Sequence, residues 1–508
     1  MNQEAQSATP RAGRREWSAL AVLVLVVTLL AVDGTVLYLA VPSLTADIAP
    51  SATQLLWIGD IYSFVLAGLL ITMGNVADRI GRKRLLLLGS AAFGVASAIA
   101  AFAPNPEILI AARALLGIAG ATLMPSTLSI VRAMFADAKQ RTTAIAIWST
   151  GAMAGAAVGP VVGGVLLENF WWGSVFLINL PIMVLVLLAG PVLIPESRGD
   201  TSASIDLWSS LLSILAIVPL VYAVKHWVGS GWDAGVPVFA LFGLIAGAIF
   251  VRRQLRLTHP LLDITLFRVP AFSGAVLANG LAIFAFVGLL YFFSQYLQLV
   301  RGYGPLQAGL AELPTTLASM LVIVFVGVLA TRLGAGRAIG LGLAVGAIGL
   351  TGIGLSTFQS AYWGLGLALV VIGLGTAVAM TLSTDAVVSA VPKQRAGAAS
   401  AIAETAYELG VALGIAVLGS IHLAMYRSHL DLPPGTDPAD AAAAQASLAV
   451  TAETVTDPVV VDHARSAFAT AVQTTSFIAA AILVVSAVVA WKVIPSPTGA
   501  TVGTHGAH

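Results

Sequence analysis

The chain has no cysteine, and charge is scarce. Without a thiol among its 508 residues, disulfide frameworks and thiolate metal sites are excluded. Charged residues make up only 10% of the chain, against 58% hydrophobic residues and a mean hydropathy of +0.94, values that belong to polytopic membrane proteins rather than soluble domains. The seven histidines (His226, His259, His422, His429, His463, His505 and His508) fall near span ends or in loops, which argues against an imidazole relay at mid-membrane. None of the five lysines follows a glycine and there is no HExxH, so a nucleotide-driven pump and a zinc hydrolase lack their minimum sequence. A net charge of +1 argues against a nucleic-acid partner.

What is present is a succession of continuous apolar runs. Each has the length of a helix that crosses about 30 Å of hydrocarbon, and lipid leaves the backbone no other open-ended way across. The expected fold is therefore an all-α polytopic membrane protein with fourteen transmembrane helices. The spans are read near 17–41, 53–75, 84–103, 107–130, 142–167, 174–194, 205–224, 234–251, 270–293, 306–330, 338–357, 362–384, 397–421 and 467–491. The first run is too long for a signal-peptide core and no A-x-A site follows it, so it stays as a span. With the N-terminus inside, twenty Lys and Arg fall on the inner side and only Lys225, Arg301, Arg427 and Arg465 on the outer, which leaves Arg113 within a span. Both termini are expected in the cytoplasm, with the chain in the plasma (inner) membrane.

An internal repeat organises these spans. GNVADRIGRKR at 74–84 returns as GVLATRLGAGR at 327–337, and AKQR at 138–141 is echoed by PKQR at 392–395. Eight spans separate the repeated landmarks where a six-span unit has six, so the surplus pair at 205–224 and 234–251 reads as an insertion. The expected organisation is a tail at 1–16, a six-helix bundle at 17–198, an inserted two-helix hairpin at 199–256, a second six-helix bundle at 257–494 with an outer loop at about 422–466, and a tail at 495–508. The Ala-rich part of that loop is able to form helices.

GNVADRIGRKR resembles the loop 2–3 signature of the major facilitator superfamily, and fourteen spans resemble its drug:proton antiporter branch. LLAVDGTVLYLAVP (29–42), WIGDIYSFVLAG (57–68), RALLGIAGA (113–121) and WSTGAMAGAAVGPVVGG (148–164) are similar to segments of bacterial exporters of quaternary ammonium compounds and cationic dyes. The resemblance implies a secondary active multidrug exporter that exchanges lipophilic cations for protons by alternating access. It implies no enzyme activity and no cofactor beyond the proton gradient, with lipophilic cationic small molecules, protons and membrane lipid as partners and a monomer as the working unit. A proton-coupled carrier of another small molecule or lipid is the alternative within the superfamily. In this frame Asp78, Arg79 and Arg82 form an inner latch, present once because Asp78 becomes Thr331 in the second copy. Gly151, Gly155, Gly159 and Gly163, with Pro160 beside the third, line one helical face suited to close helix approach. The resemblance identifies that face as a sliding or hinging contact between the halves.

The chemistry is expected from carboxylates. Asp33, Asp60, Glu312, Glu404 and Glu408 lie within spans, where each ionised acid costs on the order of 3 kcal/mol at the centre of an inserted helix. Counted from the span ends, Asp33, Asp60 and Glu312 sit roughly 9 to 12 Å below the outer surface, with Glu404 and Glu408 one turn apart and deeper. Ionised, such an acid attracts a cation; protonated, it releases it. Arg113 is the intramembrane countercharge, with Asp33 the expected partner. Trp57, Trp148 and Tyr407 are the aromatic candidates for holding a cation that cannot donate hydrogen bonds.

Overall fold

The computed structural model describes residues 12–198, 206–258, 260–391 and 396–495. PKQR, most of both tails and the first residues of the inserted segment lie outside these. Among the described residues there is no strand, and fourteen helices are long and apolar enough to cross a membrane. The first half comprises α1 (Arg14–Ile48), α2 (Ala52–Ile80), α3 (Arg82–Ala101), α4 (Pro106–Met134), α5 (Ala138–Asn169) and one span made of α6 (Ser174–Leu177) and α7 (Asn179–Leu193). The inserted hairpin is α8 (Leu207–Ser230) and α9 (Gly235–Gln254). The second half has α10 (Pro270–Gln295), extended by a π turn over Tyr296–Val300, then α11 (Pro305–Leu333), α12 (Ala335–Ser356) and α13 (Trp363–Ser389). Its fifth span runs from α14 (Ala396–Leu413) through a π turn at Gly414–Leu418 into α15 (Gly419–Ser428). The short α16 (Pro438–Ala446) and α17 (Leu448–Thr454) precede the last span, α18 (Pro458–Val493).

The helix starts carry their own signals. Ser51 and Gln54 form a reciprocal capping box on α2, while Asn105, Asp137, Asp206 and Asp457 each accept a backbone N–H at the head of α4, α5, α8 and α18. The sequence repeat is also a backbone repeat. Gly81 breaks α2 from α3 at φ 113° and Gly334 breaks α11 from α12 at φ 80°, the same position of the motif (334 − 81 = 253). Both φ values belong to the region where a side chain is strained, so the tight basic turn requires glycine in each copy. The face holding these turns is called the basic face below.

Within the first half α1 packs on α5 and α4 on both α2 and α3; within the second, α12 lies between α13 and α18 while α10 contacts α13, α14 and α18. The hairpin helices pair with each other, and α8 also reaches α2 and α15, so the insertion rests against both halves. On the basic face Arg253 binds Asp206 at 3.0 Å and Ser209 at 3.1 Å, tying the two hairpin helices together. Burial alone would raise the Asp206 carboxyl, but hydrogen bonds from Ser209 and Arg253 outweigh it and hold the group below its ordinary range.

The loop read as 422–466 is largely helical. α15 continues to Ser428 and α18 begins at Pro458, and α16 and α17 fold against them: Tyr426 donates to the Ala444 carbonyl at 2.7 Å and Arg427 to that of Gln445 at 3.2 Å. His422, expected at a span end, is inside α15 and buried, stacked on Phe292 (4.2 Å) and edge-to-face with Phe468 (4.6 Å). The span is longer than its apolar run because tertiary packing supports the polar last turns.

The glycine face of α5 corrects the expectation of a contact between halves. A Cβ at Gly151, Gly155, Gly159 or Gly163 would collide with Val24, the Thr28 carbonyl, Thr35 or Val36, all on α1 in the same half. The regular spacing marks where a neighbour approaches, but it does not say which neighbour. The two halves meet on an adjacent strip: a Cβ at Gly309 of α11 would lie 2.3 Å from the Pro160 carbonyl oxygen, and one at Gly164 would lie 2.7 Å from Leu306 Cα. Toward the same end, Tyr291 donates to the Leu55 carbonyl at 2.9 Å and Gln298 to that of Leu39 at 3.1 Å. All four contacts lie toward the face opposite the basic one.

Gly309→Val is therefore expected to lower stability by about 1–3 kcal/mol through overpacking. Gly327→Val on the same helix, where nothing lies within 4 Å, should change it little. Thermal unfolding of the two purified variants in detergent tests this; equal melting temperatures would show that the Gly309 contact is not tight.

Candidate functional site

Two of the five intramembrane acids are paired with cations. Asp33, in the middle of α1, is fully buried, and Arg113 of α4 reaches it with Nη1 at 3.3 Å from Oδ2. The guanidinium also donates Nε to the Ile58 carbonyl of α2 at 3.1 Å and lies over the Tyr62 ring, 4.8 Å from its centroid. The other oxygen of Asp33 accepts from Asn179 Nδ2 at 2.9 Å, and the same amide donates to Ser97 at 3.0 Å. One polar cluster thus links α1, α2, α3, α4 and α7, and both Asp33 oxygens are occupied. Asn179 is the polar residue in FLINLPIM, where the chain restarts its helix after the short α6.

The second pair has a partner that sequence reading misplaced. Asp60 of α2, also fully buried, meets Lys225 of α8 with Nζ 2.6 Å from Oδ2, and the ammonium stands 3.8 Å from the centroid of the Trp57 ring. Lys225 is not an outer-loop cation. α8 runs six residues beyond the expected span end at 224 and carries Lys225 into the bundle, where it is 1% exposed. The signal was the interruption VYAVKHW at the end of an apolar run, which the charge tally assigned to solvent. At 2.6 Å the contact is a short, charge-assisted one to Oδ2, and the other oxygen, Oδ1, has no hydrogen-bond partner.

The remaining three acids have no cation partner among the described residues. Glu312 of α11 is buried, and its Oε1 has no hydrogen-bond partner. Glu404 and Glu408 of α14 are one turn apart and interact electrostatically, Glu408 being buried beside Ser63 of α2 and Glu404 half-buried. Tyrosines lie near these groups. Tyr38 lies within electrostatic range of Arg113, Glu408 and Glu312, Tyr62 of Asp33 and Glu408, and Tyr407 of both Glu404 and Glu408. Tyr38 and Tyr291 meet edge to face at 5.6 Å, joining α1 to α10 across the halves. Tyr38 was not singled out in the sequence, because one aromatic in an apolar run carries no mark of what it faces.

The other candidates are distributed as follows. Trp57 is half-buried and in the Lys225 pair, Tyr407 is half-buried beside the glutamates, and Trp148 of α5 is half-buried with its indole N–H unpartnered. On the basic face Asp78 is held by Arg82 at 2.8 Å, and Arg82 also reaches the Ser129 carbonyl of α4 at 3.3 Å; Arg79 is exposed. All of these contacts are within the first half. Among the described residues no group of three or more His, Asp or Glu could hold a metal ion.

The family model of the Major Facilitator Superfamily matches residues 23–415. The chain belongs to that superfamily. It is therefore a multi-pass membrane transporter and not an enzyme. Among its relatives, the multidrug efflux pump LfrA of Mycolicibacterium smegmatis is 45% identical over 492 residues, which cover 96% of this chain and 98% of LfrA. The methyl viologen resistance protein SmvA of Salmonella typhimurium is 38% identical over 435 residues, 85% of this chain and 88% of SmvA. A solved structure, of a bacterial homologue of the human lysosomal transporter Spinster, superposes with a TM-score of 0.62 at 17% identity and covers 96% of this chain and 100% of its own, a likeness of fold.

The Asp33–Arg113 pair predicts a non-additive mutant cycle. Arg113→Leu leaves a buried carboxylate uncompensated, at a cost of about 3–5 kcal/mol. Asp33→Leu/Arg113→Leu removes both charges and should be more stable than Arg113→Leu alone. Unfolding midpoints of the purified variants decide it, and strictly additive losses would show that the two charges do not compensate each other.

Proposed function

We propose that the protein is a multidrug exporter that exchanges lipophilic, quaternary-ammonium-like cations for protons by alternating access. In this reading the basic face lies toward the cytoplasm of the plasma (inner) membrane. The observation that carries it is the division among the buried acids. Asp33 and Asp60 are neutralised by the protein's own cations, whereas Glu312, Glu404 and Glu408 have none among the described residues and come from the second half. An acid in a low-dielectric interior without a countercharge takes up either a proton or a cation from outside the protein, and an antiporter needs that choice. Its relatives' names, a multidrug efflux pump and a methyl viologen resistance protein, agree with this direction and substrate class.

The contacts between halves described above lie toward the face opposite the basic one, which in this orientation makes the structure an inward-open state. Among the described residues Asp78 is then engaged by its own half, as a released latch is. Asp33 with Arg113 holds the first half together around the site, and the Pro160 and Gly164 strip of α5 against Gly309 is the contact that must part to open the outer side. Tyr38, Tyr62 and Tyr407 supply aromatic faces next to the acids.

Efflux of a cationic dye from energised vesicles, with and without a proton uncoupler, tests the coupling: abolition by the uncoupler is expected, and undiminished efflux would overturn proton exchange. A finer test uses charge. A dication needs more compensating charge in the vestibule than a monocation, because each charge carries its own desolvation cost. Glu312→Gln is therefore expected to reduce export of a dicationic biocide by about tenfold, the cost of one charged contact, and export of a monocationic dye less. Parallel loss of both substrates would remove Glu312 from charge recognition.

A further inference from the structure

A carboxylate and an indole face set one helical turn apart are the two groups that chemistry uses to hold an onium cation. Asp60 and Trp57 of α2 make that arrangement, and it is filled: Lys225 places its ammonium 2.6 Å from Asp60 Oδ2 and 3.8 Å from the Trp57 ring centroid. We propose that Lys225 is a tethered cation occupying a cation subsite made by Asp60 and Trp57, and that a transported lipophilic cation binds there by taking its place. This rests on the export reading above and adds the device by which the subsite is regulated.

Three observations separate this pair from a merely structural one. The first is its bonding. Arg113 is fixed by the Asp33 carboxylate, itself braced by the Asn179 amide, and by the Ile58 carbonyl. Lys225, with three N–H groups to satisfy, has one carboxylate oxygen and the Trp57 face, and the second Asp60 oxygen is left without a hydrogen-bond partner. A buried pair with so few supplementary hydrogen bonds recovers little of its desolvation cost, so a second cation that keeps Asp60 compensated can replace the ammonium. The second is its position. Lys225 comes from the inserted hairpin, and the residues packed around its turn belong to both halves: Phe64 of α2, Val221 of α8 and Ala412 of α14 form one apolar cluster. The subsite therefore sits at a seam that changes as the halves move. The third is the tether. A lysine stem is long and flexible enough to withdraw its head without moving α8.

The consequence is a charge-balanced exchange. A monocation that replaces the ammonium leaves Asp60 compensated throughout, and when it departs Lys225 returns, so the acid is never stranded and the released cation is not recaptured. Without Lys225 the subsite should bind tightly and release slowly.

Ethidium binding to the full chain in lipid nanodiscs, followed by fluorescence at about pH 7.5, reads this directly. Lys225→Met is expected to bind ethidium about tenfold more tightly than wild type, the weight of one buried charge competitor. Lys225→Arg should bind no more tightly than wild type. The gain must vanish in Lys225→Met/Asp60→Asn. In vesicles, Lys225→Met should export the dye more slowly despite binding it better. If Lys225→Met fails to fold, Lys225→Gln carries the same expectation. Unchanged or weaker binding in a folded neutral variant, or a gain that persists without Asp60, overturns the proposal while wild-type binding leaves the export reading standing. Absence of saturable ethidium binding in every variant and in wild type would overturn the export reading and this inference with it.

Discussion

Everything in this transporter's interior depends on what it costs to hold a charge away from water. The helices supply their own backbone partners, so the bilayer imposes no penalty on them, and the apolar side chains are indifferent to lipid or protein. Ionised side chains are the exception, and the chain has spent two of its few cations on them. Arg113 and Lys225 are placed against Asp33 and Asp60. Among the described residues, the intramembrane acids of the first half are balanced, and those without a cation partner are in the second half. The asymmetry between two bundles that share a repeat is thus one of charge more than of shape.

The inserted hairpin gains a meaning from the same cost. As a pair of apolar helices, α8 and α9 look like padding, and α9 presents much of its surface outward. Yet α8 brings a charged residue to the first half and packs against the second, and its far end accepts a hydrogen bond from Arg427 at the Val228 carbonyl. The hairpin is a structural third party that touches both halves. A transporter without it would need another cation for Asp60, or no acid there.

Fold and site were not equally legible. Span number and the repeated turn could be read because apolar run length and a basic motif are properties of the chain itself, and Gly81 and Gly334 show the repeat carried into backbone geometry. The acids could be read because a carboxylate in an apolar run is conspicuous. Their partners could not all be read, since pairing is a tertiary fact. Lys225 stood near a span end, where a lysine ordinarily snorkels to water, and only packing against α2 shows that it does not. His422 was misplaced for the same reason. The glycines of α5 announced a close contact without naming α1, and the strip that touches the other half, Pro160 and Gly164, lies among the same residues.

The meeting of Gly309 with the Pro160 carbonyl has a pharmacological side. At that point the two halves approach backbone to backbone, with no side chain on α11 to yield. The distance between the halves is set by the thickness of a peptide unit, and a methyl group is the smallest wedge that can alter it. A compound seated at this join would act as a shim, holding the halves at a spacing from which they cannot close. Because the join is made of main chain, side-chain substitutions that change the list of exported compounds would leave the shim's footing intact.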